Sequence, residues 1–144
     1  MPTVDGSRTI AGLKRLRAGI AHAAELTLKT AVEATEQHAK STTLWKDVTG
    51  GTRASIKATI APQRGQVIAR GVSILLENGT RAHTITARNA RMLRFYQNGQ
   101  VVYRYSVHHP GTKATHFMRE ARDHGIMAAE FASEFYFHEA IARA

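Results

Sequence analysis

A chain of 144 residues is long enough to bury one core without staples, and its lack of cysteine excludes a disulfide framework and a thiolate metal site. Hydrophobic residues make up 43% and charged residues 22%, and no run approaches the roughly 18 apolar residues of a membrane span. The formal charge of +9 is the unusual quantity, and Met1 to Gly6 lack the apolar core of a secretory signal.

Residues 1–6 read as a short N-terminal tail. From Ser7, the residues Ile10, Leu13, Leu16, Ile20, Ala24, Leu28, Ala31 and Thr35 recur at three- and four-residue spacing, which predicts a helix to about Lys40. Ser7 is placed to cap its start. A helix of roughly 30 residues, about 45 Å, is too long for one small sheet to cover, so part of its stripe is assigned to another contact, a neighbouring subunit among the options. Its many alanines allow close helix approach.

Ser41 to Gly51 reads as a loop, and Thr52 to Ala61 has β-compatible alternation. Pro62-Gln63-Arg64-Gly65 turns the chain into a second strand over Gln66 to Gly71, a hairpin. Val72 to Glu77 fits a strand or a helical turn, and Asn78-Gly79 ends it. Ala82 to Ala87 is a further short strand. Asn98-Gly99, between Met92–Gln97 and Gln100–Val107, is a type I′ hairpin signal that pairs Phe95 with Val102 and Arg94 with Tyr103. Leu93, Phe95 and Val102 then share one face; Tyr96, Val101, Tyr103, Tyr105 and Val107 share the other. Both faces are partly apolar, so both are expected to be covered, one by helices and one by a partner. After His109-Pro110-Gly111, Thr112 or Thr115 is placed to cap a last helix over about 115–142, striped by Phe117, Ala121, Ala128, Phe131, Phe135 and Ala142. Core packing is the expectation for Phe131, Phe135, Tyr136 and Phe137, with a subunit interface as the alternative. Gly125 interrupts this helix at about 1 kcal/mol against alanine.

The architecture these elements predict is α+β: one domain over 1–144, with helices at 7–40 and 115–142 packing a small, mostly antiparallel sheet built from residues 52–107. The charge is uneven across it. Residues 51–114 hold ten basic side chains and one acid, Glu77, whereas residues 115–144 hold three basic and five acidic. Such a basic segment reads as a surface for nucleic acid or an acidic partner, or as a solvated face whose arginine stems cover apolar surface.

Candidate chemistry is sparse. None of the eight histidines forms an i, i+4 pair, and no metal site or cofactor is expected. The serines sit in no nucleophile elbow, and Thr49-Gly50-Gly51-Thr52 lacks the spacing and lysine of a phosphate loop. An enzyme is therefore not the expectation; a small metal-dependent hydrolase using the histidines is kept as a rival.

Three stretches together resemble one family. Val48-Thr49-Gly50-Gly51-Thr52-Arg53-Ala54-Ser55-Ile56, Leu76-Glu77-Asn78-Gly79-Thr80-Arg81-Ala82-His83-Thr84-Ile85 and Val107-His108-His109-Pro110-Gly111-Thr112-Lys113-Ala114 are similar, in order and spacing, to motifs of the HK97 gp10-like family of tailed-phage head–tail joining and tail completion proteins. Val48 stands where that family usually has an acidic residue, and Thr52 where a large apolar one is common. The resemblance implies a structural virion protein at the head–tail junction, made in the host cytoplasm. It implies a homo-oligomeric, hexameric ring between a tail-tube or tail terminator protein and a head-side connector or stopper protein, with double-stranded DNA passing through the lumen and no membrane involved.

The same residues make physical sense by themselves. Gly79 gives a reversal that needs positive φ, and Thr80 can bond the backbone groups this frees. Glu77 is expected to pair with Arg81 or another arginine, within its subunit or across an interface. Pro110-Gly111 sets the change from strand to helix. Glu77, Gly79, Thr80, His83, His109, Pro110 and Gly111 are thus the structural signature, and Arg81, Arg88, Arg91 and Arg94 the candidates for contact with a protein neighbour or DNA. Most arginines are expected to face acidic protein and a minority DNA. A free-standing nucleic-acid-binding module is the alternative reading.

Overall fold

The computed structural model describes residues 6–144, so the expected N-terminal tail lies outside the described residues except for Gly6. The first helix, α1, spans Ser7–Ser41, about 52 Å, with Gly6 rather than Ser7 at the N-cap position. Its C-terminus places His38 and Lys40 in the last turn, favourable with the helix dipole. Arg53 then folds back and donates to the carbonyls of Lys40 and Thr42, the latter at 2.8 Å, satisfying acceptors that a helix end leaves free.

The length of α1 is answered by a second helix rather than by a sheet. The last helix, which is α4 in chain order and spans Phe117–Ala142, runs antiparallel along it. Gly125 abuts Ala31 and Thr35, Gly19 abuts Ala140, and the Arg15 guanidinium reaches the Ala144 carbonyl at 3.3 Å. The crossing is close because small residues line it. A Cβ on Gly125 would lie 1.9 Å from Thr35 Oγ1 and 2.8 Å from Ala31 O, so this glycine is a packing notch and not an interruption.

That notch explains why the predicted stripes are partly wrong. On α4 the buried row is Phe117, Ala121, Gly125 and Ala132, while Phe131 and Phe135 are 80% and 61% exposed. Rings do not fit where two backbones approach this closely, so they turn outward, and core packing is overturned for these two residues. On α1 the buried positions are Ala23, Val32 and Ala39, whereas Ile10, Leu13 and Ile20 are exposed.

Between the long helices, α2 (Gly51–Ser55) replaces the start of the expected strand. Gly50 takes φ 74°, and the Asp47 carboxylate accepts the Arg53 N–H at 2.7 Å, closing a helical turn that local alternation does not reveal. Strands β1 (Lys57–Ala61) and β2 (Arg64–Ile68) pair antiparallel around Pro62-Gln63, so β2 starts and ends earlier than its Gln66–Gly71 prediction. Gly65 lets this ribbon lie on α1, since a Cβ there would stand 2.3 Å from Val32 Cγ2. Val72–Asn78 is helical, α3, and its fully buried Ser73 hydroxyl lies 3.1 Å from that of Ser55. The core at this end joins Ala39, Trp45, Ile56, Phe117 and Ala121, with the Trp45 and Phe117 rings edge to face at 5.3 Å.

Strand β3 (His83–Thr86) pairs with β6 (Ser106–His109), and β4 (Leu93–Gln97) with β5 (Gln100–Arg104). Asn98 and Gly99 both take positive φ, 51° and 79°, and the register pairs Phe95 with Val102 and Arg94 with Tyr103, as the sequence predicts. The α+β class holds, with the sheet divided into three antiparallel two-stranded ribbons. The ribbons are joined by α3 and by the loop 87–92 instead of tight turns, so no ladder runs from one to the next. One β4–β5 face differs from the expected helix cover: Leu93 and Phe95 line a hollow against β3–β6 whose lining, among the described residues, includes no helix residue, and Val102 beside them is half-buried. On the face assigned to a partner, Tyr96 and Tyr103 are 67% and 55% exposed in the single chain. Tyr105 lies beyond β5, and Val107 belongs to β6.

Candidate functional site in the clasp of two loops

The second and third motifs fold against each other. Thr80 and Thr112 exchange backbone hydrogen bonds of 2.8 and 3.0 Å, an isolated antiparallel bridge between the end of α3 and the segment leading to α4. The Thr80 hydroxyl also accepts the Thr112 N–H at 2.9 Å, so it bonds backbone of the other motif instead of the groups freed by the local reversal.

Two glycines make this crossing possible. Gly79 has φ 71°, and a Cβ there would meet Thr112 O at 2.6 Å and Ala114 N at 2.7 Å. Gly111 has φ 94°, and its Cβ would meet Thr80 O at 2.4 Å. Each motif thus supplies the glycine that the other motif's backbone packs upon. A side chain at either position would combine left-handed strain with a backbone clash.

Glu77 has a different partner from the one expected. Its carboxylate Oε2 accepts the Met118 N–H at 2.8 Å, and its carbonyl accepts the His116 N–H. His116 occupies the N-cap position of α4 in the left-handed region, φ 54°, with no side-chain cap of its own. Glu77 therefore caps α4 from another helix, placing negative charge at a positive helix terminus. Thr115, expected to cap, instead donates its hydroxyl to Leu76 O at 2.8 Å, and its N–H goes to the same oxygen. Leu76 and Glu77 together hold the start of α4 against the end of α3.

The histidines extend the clasp into β3–β6. His83 and His109 are paired in register with ring centroids 5.2 Å apart. The His83 Nδ1–H donates to Arg81 O at 2.8 Å, and His109 Nδ1 accepts the Gly111 N–H at 3.1 Å, fixing the turn that Pro110 begins. Glu77, Gly79, Thr80, His83, His109, Pro110 and Gly111 are therefore brought together. Thr112 and Thr115, read in the sequence as candidate helix caps, belong with them as the bridge partner of Thr80 and the donor to Leu76, and Met118, which sequence reasoning did not single out, completes the group through its N–H.

Of the four arginines only Arg81 enters the clasp, and it does so through its backbone, whose carbonyl accepts from His83 and packs on Gly111. Arg81, Arg88, Arg91 and Arg94 are all exposed, on β4 or in loops around the ribbons. Arg94 lies over the Tyr96 ring at 5.4 Å. Among the described residues, the ion pairs are Lys29–Glu33, His38–Glu120, Lys40–Glu36, Arg122–Asp123 and Arg143–Glu139, none of which uses a residue of 51–114. The first motif lies apart, where the Arg53 guanidinium stacks 4.5 Å over Trp45 while capping α1. The Asp47 carboxylate, one position before Val48, accepts the Arg53 backbone N–H and not its guanidinium.

Among the described residues no three His, Asp or Glu side chains converge to hold a metal ion, and no helix is long and apolar enough to cross a membrane. The clasp is a backbone-bonded junction that joins the end of α3 and the β3–β6 ribbon to the start of α4. Set against family models, curated proteins and solved structures, the chain matches none of them.

Proposed function

We propose that this chain is a non-catalytic structural virion protein of a tailed phage or phage-like particle. In this reading it forms a ring at the head–tail interface, completes the tail, joins it to the head-side connector and lets DNA pass. The resemblance of the three motifs supplies the identity of the assembly. The observation that carries an assembly role is surface: the chain exposes 11236 Å², against about 7,300 Å² for a compact monomer of its mass. That excess includes large apolar side chains on both long helices and on the β4–β5 ribbon. Surface of this kind marks contact sites on soluble proteins.

Mass measurement of the protein, alone and mixed with its tail-tube protein, tests the proposal. Self-association or incorporation into tails is expected. A strict monomer that never joins tails or virions overturns it.

A second reading, a nucleic-acid-binding module, draws on the ten basic residues of 51–114, none of them ion-paired among the described residues. It requires the isolated monomer to bind duplex DNA with log K falling steeply against log salt, by about 0.9 per phosphate neutralised. The ring reading expects weak binding and a shallow slope.

A further inference from the structure

Two exposed patches on this chain are complementary to each other. On α4, Met127, Phe131 and Phe135 recur every fourth residue and form one exposed row. Phe131 and Phe135 border an open groove of about 520 Å³ with Glu134 and His138. Glu130 and Glu134 are exposed on this side of the helix, and neither is ion-paired among the described residues. On β4–β5, the outward face carries the cross-strand pairs Arg94–Tyr103 and Tyr96–Val101, all four exposed. One patch is apolar with an acidic margin; the other is apolar and aromatic with cations, and Arg88 and Arg91 lie in the loop leading into it.

They do not meet within one chain. The β4–β5 ribbon joins the molecule beside β3–β6, at the clasp end of α4. Phe131 lies 14 residues into that helix, about 21 Å along its axis. We infer that the Met127–Phe131–Phe135 row of one subunit receives the outer face of the β4–β5 ribbon of a second copy, with Arg94 set against Glu134. This deepens the ring reading and rests on it. A contact between two different patches is heterologous, so each subunit has one of each left to offer, and repetition closes a ring or extends a filament.

The sizes agree. An aromatic side chain buries roughly 150–250 Å², so Phe131, Phe135, Tyr96 and Tyr103 supply the hot centre of an interface. Two standard interfaces remove about 1,600 Å² from each subunit. The excess of exposed surface over a compact monomer is about 3,900 Å², which accommodates both.

The cysteine-free chain allows a direct test. F131C and Y103C are purified separately, mixed at equal concentration, and oxidised, with thermal unfolding used to confirm that each folds. The expected product is the mixed disulfide dimer, at least tenfold over either homodimer, and the doubly substituted chain gives a closed set of linked multimers. Homodimers in excess, or no cross-link at concentrations where the native chain self-associates, overturns the contact while leaving the ring reading in place. Mixed cross-links that grow only into open chains uphold the contact and overturn the ring. No cross-link with a native chain that stays monomeric, alone and with the tail-tube protein, overturns both.

Discussion

Replacing Glu77 with alanine removes a carboxylate that caps a helix it does not belong to. The Met118 N–H, bonded at 2.8 Å, loses its acceptor, and the N-terminus of the 26-residue α4 loses its nearest negative charge. Losing a side-chain cap costs about 1 kcal/mol. Losing a charge at a helix terminus adds about 0.3–1 kcal/mol. The expected total is about 1.3–2 kcal/mol for E77A, or about 4–7 °C in Tm for a domain of this size. E77Q keeps an acceptor oxygen and loses only the charge, so it is expected to cost about half as much.

The competing account has Glu77 paired with an arginine, and Arg81 is the obvious one. The two accounts separate in a double-mutant cycle followed by urea denaturation at 222 nm, at concentrations that keep the chain monomeric. Capping predicts that R81A changes stability by no more than about 0.5 kcal/mol and that E77A and R81A add. If R81A costs as much as E77A, and the double variant no more than either, the capping argument is refuted. An E77A chain as stable as the native one refutes it more simply.

Other outcomes follow from the same geometry. G79A and G111A each place a Cβ within 2.6 Å of backbone oxygen at positive φ, so each is expected to cost about 3 kcal/mol or more, seen as loss of soluble protein or an early melt; a loss under 1 kcal/mol in both contradicts the clasp. G125A gains about 1 kcal/mol of helix propensity but collides with Thr35 Oγ1, so net destabilisation of about 1–3 kcal/mol is expected, partly rescued by T35A; a stabilised G125A overturns the close crossing. The Lys40 ammonium, 2.5 Å from Glu36, holds the Glu36 carboxyl below its ordinary value of 4.5, against the opposing effect of burial. A depressed folded value means that this contribution is complete above the ordinary carboxylate range and is lost as pH falls through the lower folded value. K40M should raise the Glu36 titration midpoint in an NMR titration, and an unchanged midpoint rules out Lys40 as the cause.

What could be read from the sequence was local, and what could not be read depended on a distant partner. The β4–β5 hairpin was legible because Asn98-Gly99 carries its own conformational preference, and both residues adopt it. The positive φ of Gly79 was legible for the same reason. The need for Gly79 and Gly111 to be bare was not, because it arises where two segments more than 30 residues apart cross. Helix α2 was missed because Asp47, outside the turn, closes it. The outward Phe131 and Phe135 were misassigned because hydrophobic spacing identifies a stripe without saying what faces it. On α4, the close approach of α1 selects Gly125 and Ala132 and excludes the rings.

The clasp and the charge distribution follow one division of labour. The junction between the ribbons and α4 is held mainly by backbone groups, glycines and hydroxyls, with Glu77, the single acid of residues 51–114, committed to a helix cap. That leaves the ten positive charges of the segment without an acid among themselves. The ion pairs found among the described residues lie within or between the two long helices, or close onto their ends. Among the described residues Arg53 meets two carbonyls and the Trp45 ring, Arg94 meets the Tyr96 ring and Lys57 acts on Glu36; the other basic side chains of the segment are exposed, and their mutual repulsion lowers the stability of a monomer. An acidic neighbour relieves that repulsion at each contact it makes. The C-terminal segment, with two more acids than bases, provides such a neighbour in every additional copy of the chain. In the proposed ring, the basic segment of one subunit is expected to meet the acidic margin of the next, which sets local attraction against the +9 charge that each copy carries.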